Sequence, residues 1–425
     1  MTGKLTTAVR FATGRYTPFL SLFWDEADRD AVAEWLGGAP LDGAAARLEA
    51  DVLNSLGGDY FVRAFNSGRS AIQAALQAMA LPAGSEVLVP TFSCTGLVMP
   101  VIQAGLTPVF VDVDEDMNAR LDSVVEGSSS RVSAVIVSHL SGTWANDLDG
   151  IIEWAKPRGI RVIDDAAQAQ GLVRNQRIAG ALGDIGVFSS GLGKMSFGPG
   201  GGWVVTRDPD LAKSLRAQAV VTEPRRAIDA ALSKFALRYG GSAAQQGRTR
   251  VEEVISRRVN QRLGLVHAEA GTNEFRFDSS AINNIYARLA SLQLKKLHVI
   301  IEKRRMFAER WRVALDGLGL VTARVPRIAD AVRCKMLLTF AGEKGAAESK
   351  QLAGVLWNHG VEVEPSYVPL HLRHQFAGFR KTSMAVTDRL WRGAFALPVR
   401  PNLVADDWAR IDAALSALHR RLQAC

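Results

Sequence analysis

The chain has 425 residues, enough to bury a large core and to form two domains, or one large domain with a smaller appendage. Its 48% hydrophobic and 22% charged residues exclude a disordered protein, and no apolar run approaches the ~20 residues that span a bilayer. The net charge of +8 favours anionic partners without choosing among them, while three scattered cysteines, Cys94, Cys334 and Cys425, exclude a disulfide framework or a zinc site and fit a reducing cytoplasm.

Residues 1–26 are expected to form an N-terminal arm. Lys4, Arg10 and Arg15 lack acidic partners there, and the stretch ending in FLSLFW shows no clean helical stripe, which favours packing on the body or a second subunit over contact with a membrane. Acidic residues in the opening turn and the stop at Gly37-Gly38 predict a helix over 25–36, and a second helix follows over 41–56. Tyr60 to Phe65 reads as a short strand, 66–70 (NSGRS) as a turn, and Ala71 to Met79 as an alanine-rich helix. The turn therefore sits at a helix N-terminus, where free amides and the positive dipole end bind anions; an N-cap by Ser67 or Ser70 is compatible with that.

Strands at 86–90, 107–113, 132–138 and 161–165 alternate with helices at 94–104, near Leu121 and at 148–157. That alternation predicts a largely parallel sheet covered on both faces, with ligands at the carboxyl ends of its strands. The same rule selects the pair Asp164-Asp165 in RVIDDAAQAQG, where one carboxylate could hold a pyridinium nitrogen protonated while the other caps a helix. Gln168 could reach the same cavity. His139, at the end of the preceding strand, is more economically read as structural.

Residues 180–206, GALGDIGVFSSGLGKMSFGPGGGWVVT, hold a lone lysine, Lys194, among glycines and hydroxyls. A lysine ammonium is normally kept at the surface by its hydration, so its place here points to chemistry. Ser189, Ser190 and the glycine run could surround an anion beside the amine, which suits a carbonyl cofactor bearing a phosphate, pyridoxal 5′-phosphate. A desolvated, cation-rich pocket would then lower the lysine pKa. No metal site is expected.

Residues 207–272 hold no convincing strand and read as a basic helical insertion. Arg248, Arg250, Arg257, Arg258 and Arg262 outnumber Glu252 and Glu253, and a solvated face is the simplest meaning. A long helical pattern over 280–315 then leads into a small α+β domain with strands at 332–340 and 361–365 and a last helix over 406–422. The domains expected are thus 27–279, binding the cofactor, and 280–425, a long helix with the small domain.

The order and spacing of FNSGRSAIQAAL, EVLVPTFSC, GLTPVFVDVDED, HLSGTWANDLDGI, VIDDAAQAQG, LGDIGVFSSGLGK, GGWVVT, LASLQLKKL, YVPLHL and FALPVRPNL resemble the DegT/StrS family of aminotransferases. The resemblance implies the aspartate aminotransferase fold: an α/β large domain with a mostly parallel seven-stranded sheet, a small C-terminal domain, and a homodimer with interfacial active sites. It implies Lys194 as the Schiff-base lysine and proton carrier, and Asp165 as the partner of the pyridine nitrogen. Gln168 falls beside the ring hydroxyl, Ser189 at the phosphate, and Gly68, Arg69 and Ser70 in the phosphate turn. Retention of Lys194 matters because relatives with histidine there are dehydratases. Four positions depart from the pattern: Cys94 stands where many members stack an aromatic on the ring, Gly200 where an acid is usual, and Ser279 and Ala281 where asparagine and arginine precede the long helix.

The implied function is transfer of an amino group from an amino acid, glutamate by family habit, to a keto substrate such as a nucleotide-linked keto sugar. A PLP enzyme of another reaction type (dehydration, elimination or carbon–carbon bond chemistry) and a non-catalytic PLP-binding module are the alternatives. The partners expected are small molecules and a second copy of the chain, without nucleic acid.

Overall fold

Short apolar runs become strands where they can be buried, and among the described residues up to Thr206 seven do so: β1 (Phe61–Phe65), β2 (Glu86–Pro90), β3 (Thr107–Val111), β4 (Val132–Ser138), β5 (Arg161–Asp165), β8 (Ile185–Ser189) and β9 (Gly202–Thr206), with a short surface hairpin of β6 (Val173–Arg174) and β7 (Arg177–Ile178) between β5 and β8. The computed structural model describes residues 9–218, 222–262, 280–318, 320, 323–324 and 331–423. Outside the hairpin, the strands form a seven-stranded sheet in the order β1-β9-β8-β5-β4-β2-β3. β3, β2, β4, β5 and β8 run parallel, and β9 is antiparallel to both β8 and β1. The expected mostly parallel sheet is therefore present.

Alternation along each strand divides its side chains between two helical layers. Val87, Val89, Ile136 and Ile163 pack with residues of the helices Gly68–Ala78, Thr95–Gln103 and Pro209–Ala217. Their neighbours Leu88, Val135, Val137 and Val162 pack on the opposite face with Leu121–Glu126 and Leu148–Ala155.

The C-terminal part builds a four-stranded antiparallel sheet from β10 (Ala323–Arg324), β11 (Met336–Phe340), β12 (Glu364–Pro365) and β13 (Phe395–Leu397), in the order β10-β11-β13-β12. Trp311, Phe340 and Trp408 anchor its core against the helices Gly342–Asn358 and Ala405–Gln423. Three expectations are corrected here. The long helix is two, Asn284–Lys295 and Leu297–Asp316, broken at Lys296, whose ammonium pairs with Asp25 and Asp28. The strand expected from Val332 begins only at Met336, because Arg333 takes a positive φ of 57°. Val361 leaves β12 and bridges Thr17 of the arm instead.

The arm packs on the body of its own chain. Phe11 stacks on Tyr16 with ring centroids 4.4 Å apart, Thr17 donates to the Gly360 carbonyl at 2.7 Å, and Arg400 donates to Pro18 O at 3.0 Å. The insertion is helical, with Pro209–Ala217, Arg225–Tyr239 and Ala243–Arg262. Its helix Arg225–Tyr239 is docked rather than merely solvated: Ile228, Leu232 and Phe235 are buried, Trp35 donates to Asp229 at 2.7 Å, and the Arg225 guanidinium lies 4.0 Å from the Trp35 ring centre. Of the arginines noted in the sequence, Arg250 pairs with Glu362 at 3.4 Å and Arg248 turns back on its own helix. Lys4, Ser279, Cys425 and the segment 263–279 lie outside the described residues, as do the side chains of Glu253, Arg257, Arg258 and Arg262.

Candidate active site

At the carboxyl ends of the parallel strands lies a cleft of about 720 Å³. Its floor begins at the turn between β1 and the helix Gly68–Ala78, which Ser67 caps by accepting the Ser70 N–H at 3.2 Å. The turn is pressed against β8 and β9. A Cβ on Gly68 would lie 3.0 Å from Ser189 Cβ and 3.1 Å from its Oγ, and a Cβ on Gly202 would lie 2.5 Å from the Gly68 nitrogen. Both glycines are thus required by close approach, and together they leave a backbone-lined cup at a helix N-terminus with the Ser189 hydroxyl at its edge. Such a cup suits a phosphate.

Lys194 follows β8 on a loop held from three sides. Its N–H bonds the Gly191 carbonyl at 3.2 Å, the Cys334 thiol donates to Gly193 O at 2.8 Å, and Phe197 meets Phe235 and Tyr239 of the insertion at 5.4 Å each. The expectation of a lowered lysine pKa is corrected. Burial does pull it down, but Tyr367, Cys94, Cys334 and Asp165 surround the ammonium with acidic groups, and the net shift is upward. The pocket is not cation-rich at this point.

The adjacent aspartates at the end of β5 part company because strand neighbours face opposite ways. Asp165 lines the cleft, accepts from Ser138 Oγ at 3.1 Å and Ala167 N at 2.9 Å, and has its pKa raised by burial against the opposing pull of those bonds, Lys194 and His139. Asp164 is fully buried and takes the Gly180 and Leu182 N–H groups at 2.8 and 3.1 Å. Neither caps a helix, as one of them was expected to; the chain after β5 enters a turn. His139 Nδ1 accepts the Ala145 N–H at 3.0 Å, so Nε2 carries the proton and donates to Asp164 at 2.9 Å, the structural role expected of it.

Gln168 lines the same cleft, accepting from Ser141 N at 3.0 Å and donating to the Tyr367 hydroxyl at 3.4 Å. Arg69 and Cys94 also line it; Cys94 precedes the helix Thr95–Gln103 and is a free thiol. The structure therefore brings Gly68, Arg69, Cys94, Asp165, Gln168, Ser189 and Lys194 to one cavity, while Ser70 is buried beneath the turn, its hydroxyl bonded to Asn66 at 2.7 Å.

Sequence reasoning assigned no role to several neighbours. Tyr367, from the YVPLHL segment, joins Gln168 to Lys335, which in turn pairs with Glu364 at 2.7 Å. Glu223 of the insertion accepts from Asn66 Nδ2 at 2.8 Å, and Tyr286 fills the space that Gly200 leaves, a Cβ there falling 2.7 Å from its ring. Only the YVPLHL segment carried a signal that could have found one of them.

The cup, the amine and the buried carboxylate at separate points of one cleft fit pyridoxal 5′-phosphate: donors for its phosphate, an amine for its carbonyl, an acid for its ring nitrogen. Among the described residues, no group of three or more His, Cys, Asp or Glu could hold a metal ion.

The chain is 42% identical over 152 residues to a UDP-N-acetyl-3-dehydro-α-D-glucosamine 3-aminotransferase of Acidithiobacillus ferrooxidans, a match covering 35% of this chain and 41% of that protein. It is 28% identical over 360 residues to the GDP-perosamine synthase of Caulobacter vibrioides, covering 83% and 84% of the two chains. The crystal structure of the aminotransferase TlmJ from Streptoalloteichus hindustanus superposes with a TM-score of 0.73 at 23% identity, over 96% of this chain and 99% of that one. Residues 27–416 match the DegT/DnrJ/EryC1/StrS aminotransferase family, and the chain belongs to it.

Proposed function

We propose that this protein is a PLP-dependent aminotransferase that moves an amino group from an amino acid, glutamate in the first instance, to the keto group of a nucleotide-linked sugar or a related polyhydroxylated intermediate. The observation that carries the reading is that Lys194, Asp165, Ser189 and the turn 66–69 line one cleft. In this reading Gly68, Arg69 and Ser189 would hold the cofactor phosphate, with Ser70 supporting the turn from beneath rather than touching it, Asp165 would keep the ring nitrogen protonated, and Gln168 would sit beside the ring hydroxyl. The bound cofactor supplies an electron sink for bonds at the amino carbon. Lys194 would hold the cofactor through its carbonyl and would be the group that moves the proton at the amino carbon, for which its amine must be freed of the upward pull of its acidic neighbours. Cys94 lines the cleft where an aromatic is usual in the family, so packing of the ring would have to be arranged otherwise. The names of the two relatives above support a sugar acceptor.

The test is an absorbance spectrum of the purified protein with PLP, before and after L-glutamate. A visible band of lysine-bound cofactor should give way to the near-ultraviolet band of its amino form, and Lys194→Ala should show neither the visible band nor turnover. A visible band that persists with glutamate and with other donors would sink the aminotransferase reading. We include in the proposal a homodimer, checked by sedimentation, and a cytoplasmic location, which the free thiols of Cys94 and Cys334 suit.

A further inference from the structure

Among the described residues, Glu223 of the insertion bonds directly to the turn 66–70, and its side chain fixes which way the hydrogen bonds of that turn point. Glu223 lies just ahead of the helix Arg225–Tyr239 and lines the cleft with Ser67, Gly68 and Ser189. Its Oε1 accepts from Asn66 Nδ2 at 2.8 Å. A carboxylate can only accept, so Asn66 must present its amide nitrogen to Glu223 and its oxygen to the other side. There Asn66 Oδ1 takes the single proton of the Ser70 hydroxyl at 2.7 Å. With that proton committed, Ser70 Oγ can only accept from the Ser67 hydroxyl, 3.0 Å away. The chain runs Ser67 to Ser70 to Asn66 to Glu223, every proton directed toward the carboxylate and away from the cup.

A phosphate is likewise only an acceptor and calls on the cleft-lining Ser67 hydroxyl, the head of that chain, as a donor. Glu223 and the phosphate therefore compete for one polarised chain, and both carry negative charge. The closeness of this carboxylate is felt elsewhere in the cleft: burial, and then Glu223, push the Tyr286 hydroxyl up to about 12. The segment that bears Glu223 is a coherent body, since its helix is held to Trp35 by Arg225 and Asp229 and to the Lys194 loop by Phe235 and Tyr239.

We propose that Glu223 is a positioning residue that acts through Asn66 and Ser70 to set the hydrogen-bond polarity of the phosphate cup, so that docking of the insertion and binding of a phosphate-bearing cofactor oppose each other. This rests on the reading that the turn 66–70 receives the cofactor phosphate. By linkage, whatever weakens the Glu223 contact strengthens phosphate binding by the same factor, and phosphate binding loosens the helix Arg225–Tyr239.

The test uses the full chain with two probes that differ only in the phosphate, PLP and pyridoxal. Glu223→Gln keeps the side-chain volume and removes both the charge and the fixed polarity. It should bind PLP at least about five-fold more tightly than wild type with its affinity for pyridoxal unchanged. In wild type, PLP but not pyridoxal should raise amide hydrogen exchange in the helix Arg225–Tyr239, a readout that does not depend on the variant folding well. PLP affinity that is unchanged or weaker in Glu223→Gln overturns the proposal, and so does an equal change for both probes. Equal affinity of the wild-type protein for PLP and pyridoxal would instead overturn the assignment of the turn as the phosphate site.

Discussion

Asp164 and Asp165 are chain neighbours with opposite duties: the first is fully buried and bonded to His139 at 2.9 Å, the second opens on the cleft and feels the charge of Lys194. Replacing them separates stability from function. Asp165→Asn should lower kcat by about 100-fold or more, because the charge proposed to keep the ring nitrogen protonated is removed, with little change in the denaturation midpoint.

Asp164→Asn should do the reverse. Its new amide would face the Gly180 and Leu182 N–H groups or the His139 Nε2–H with a donor, at a cost of about 3 kcal/mol. Urea titration beside steady-state kinetics distinguishes the two; a catalytic defect without loss of stability would contradict the assignment.

Gly202→Ala tests the cup. The added methyl meets backbone atoms, Gly68 N at 2.5 Å and Ser67 C at 2.6 Å, which cannot swing aside as a flexible side chain would. The expected result is a loss of about 2 kcal/mol and weaker binding of PLP, with pyridoxal affected less. Titration of both ligands reads the difference.

Phe235→Ala tests the hold of the insertion on the lysine loop. Phe235 is buried against Phe197 and Tyr239, and its removal should cost about 3 kcal/mol. Because Phe197 lies three residues beyond Lys194, hydrogen exchange should rise across 191–198 as well as across 225–239. A loss confined to the insertion would mean that the loop stands without it.

Asp114 makes stability depend on pH away from the cleft. Burial pushes its carboxyl from 3.8 up to about 7, the N–H groups of Asn118 and Asp116 only partly opposing it. The folded chain therefore holds a proton that the unfolded chain has released. Its contribution to stability is complete below about pH 4 and is lost as pH rises through about 7. Asp114→Asn should flatten that part of the stability profile, measured by urea titration at successive pH values.

Much of the site was legible in the sequence because its parts are local. A strand end, a helix N-cap and a glycine run each depend on residues near one another in the chain, so Ser67, Asp165, Ser189 and Lys194 could be assigned from spacing and family resemblance. The sheet was legible for a related reason: strands buried on both faces read as short apolar runs between helices. The residues themselves did not separate Asp164 from Asp165, since which carboxylate turns to the cleft depends on the face that β4, β8 and the loop 180–182 offer each one.

What only the tertiary structure decided is the company these groups keep. Tyr367 and Cys334 approach Lys194 from more than a hundred residues away and reverse the expected direction of its pKa, and Glu223 reaches the cup from an insertion that reads, by composition, as a solvated basic surface. Periodicity and capping record what a residue does with its neighbours in the chain. Charge, donor direction and exclusion of water at a site are sums over neighbours in space, and those were determined by how the insertion and the small domain approach one cleft.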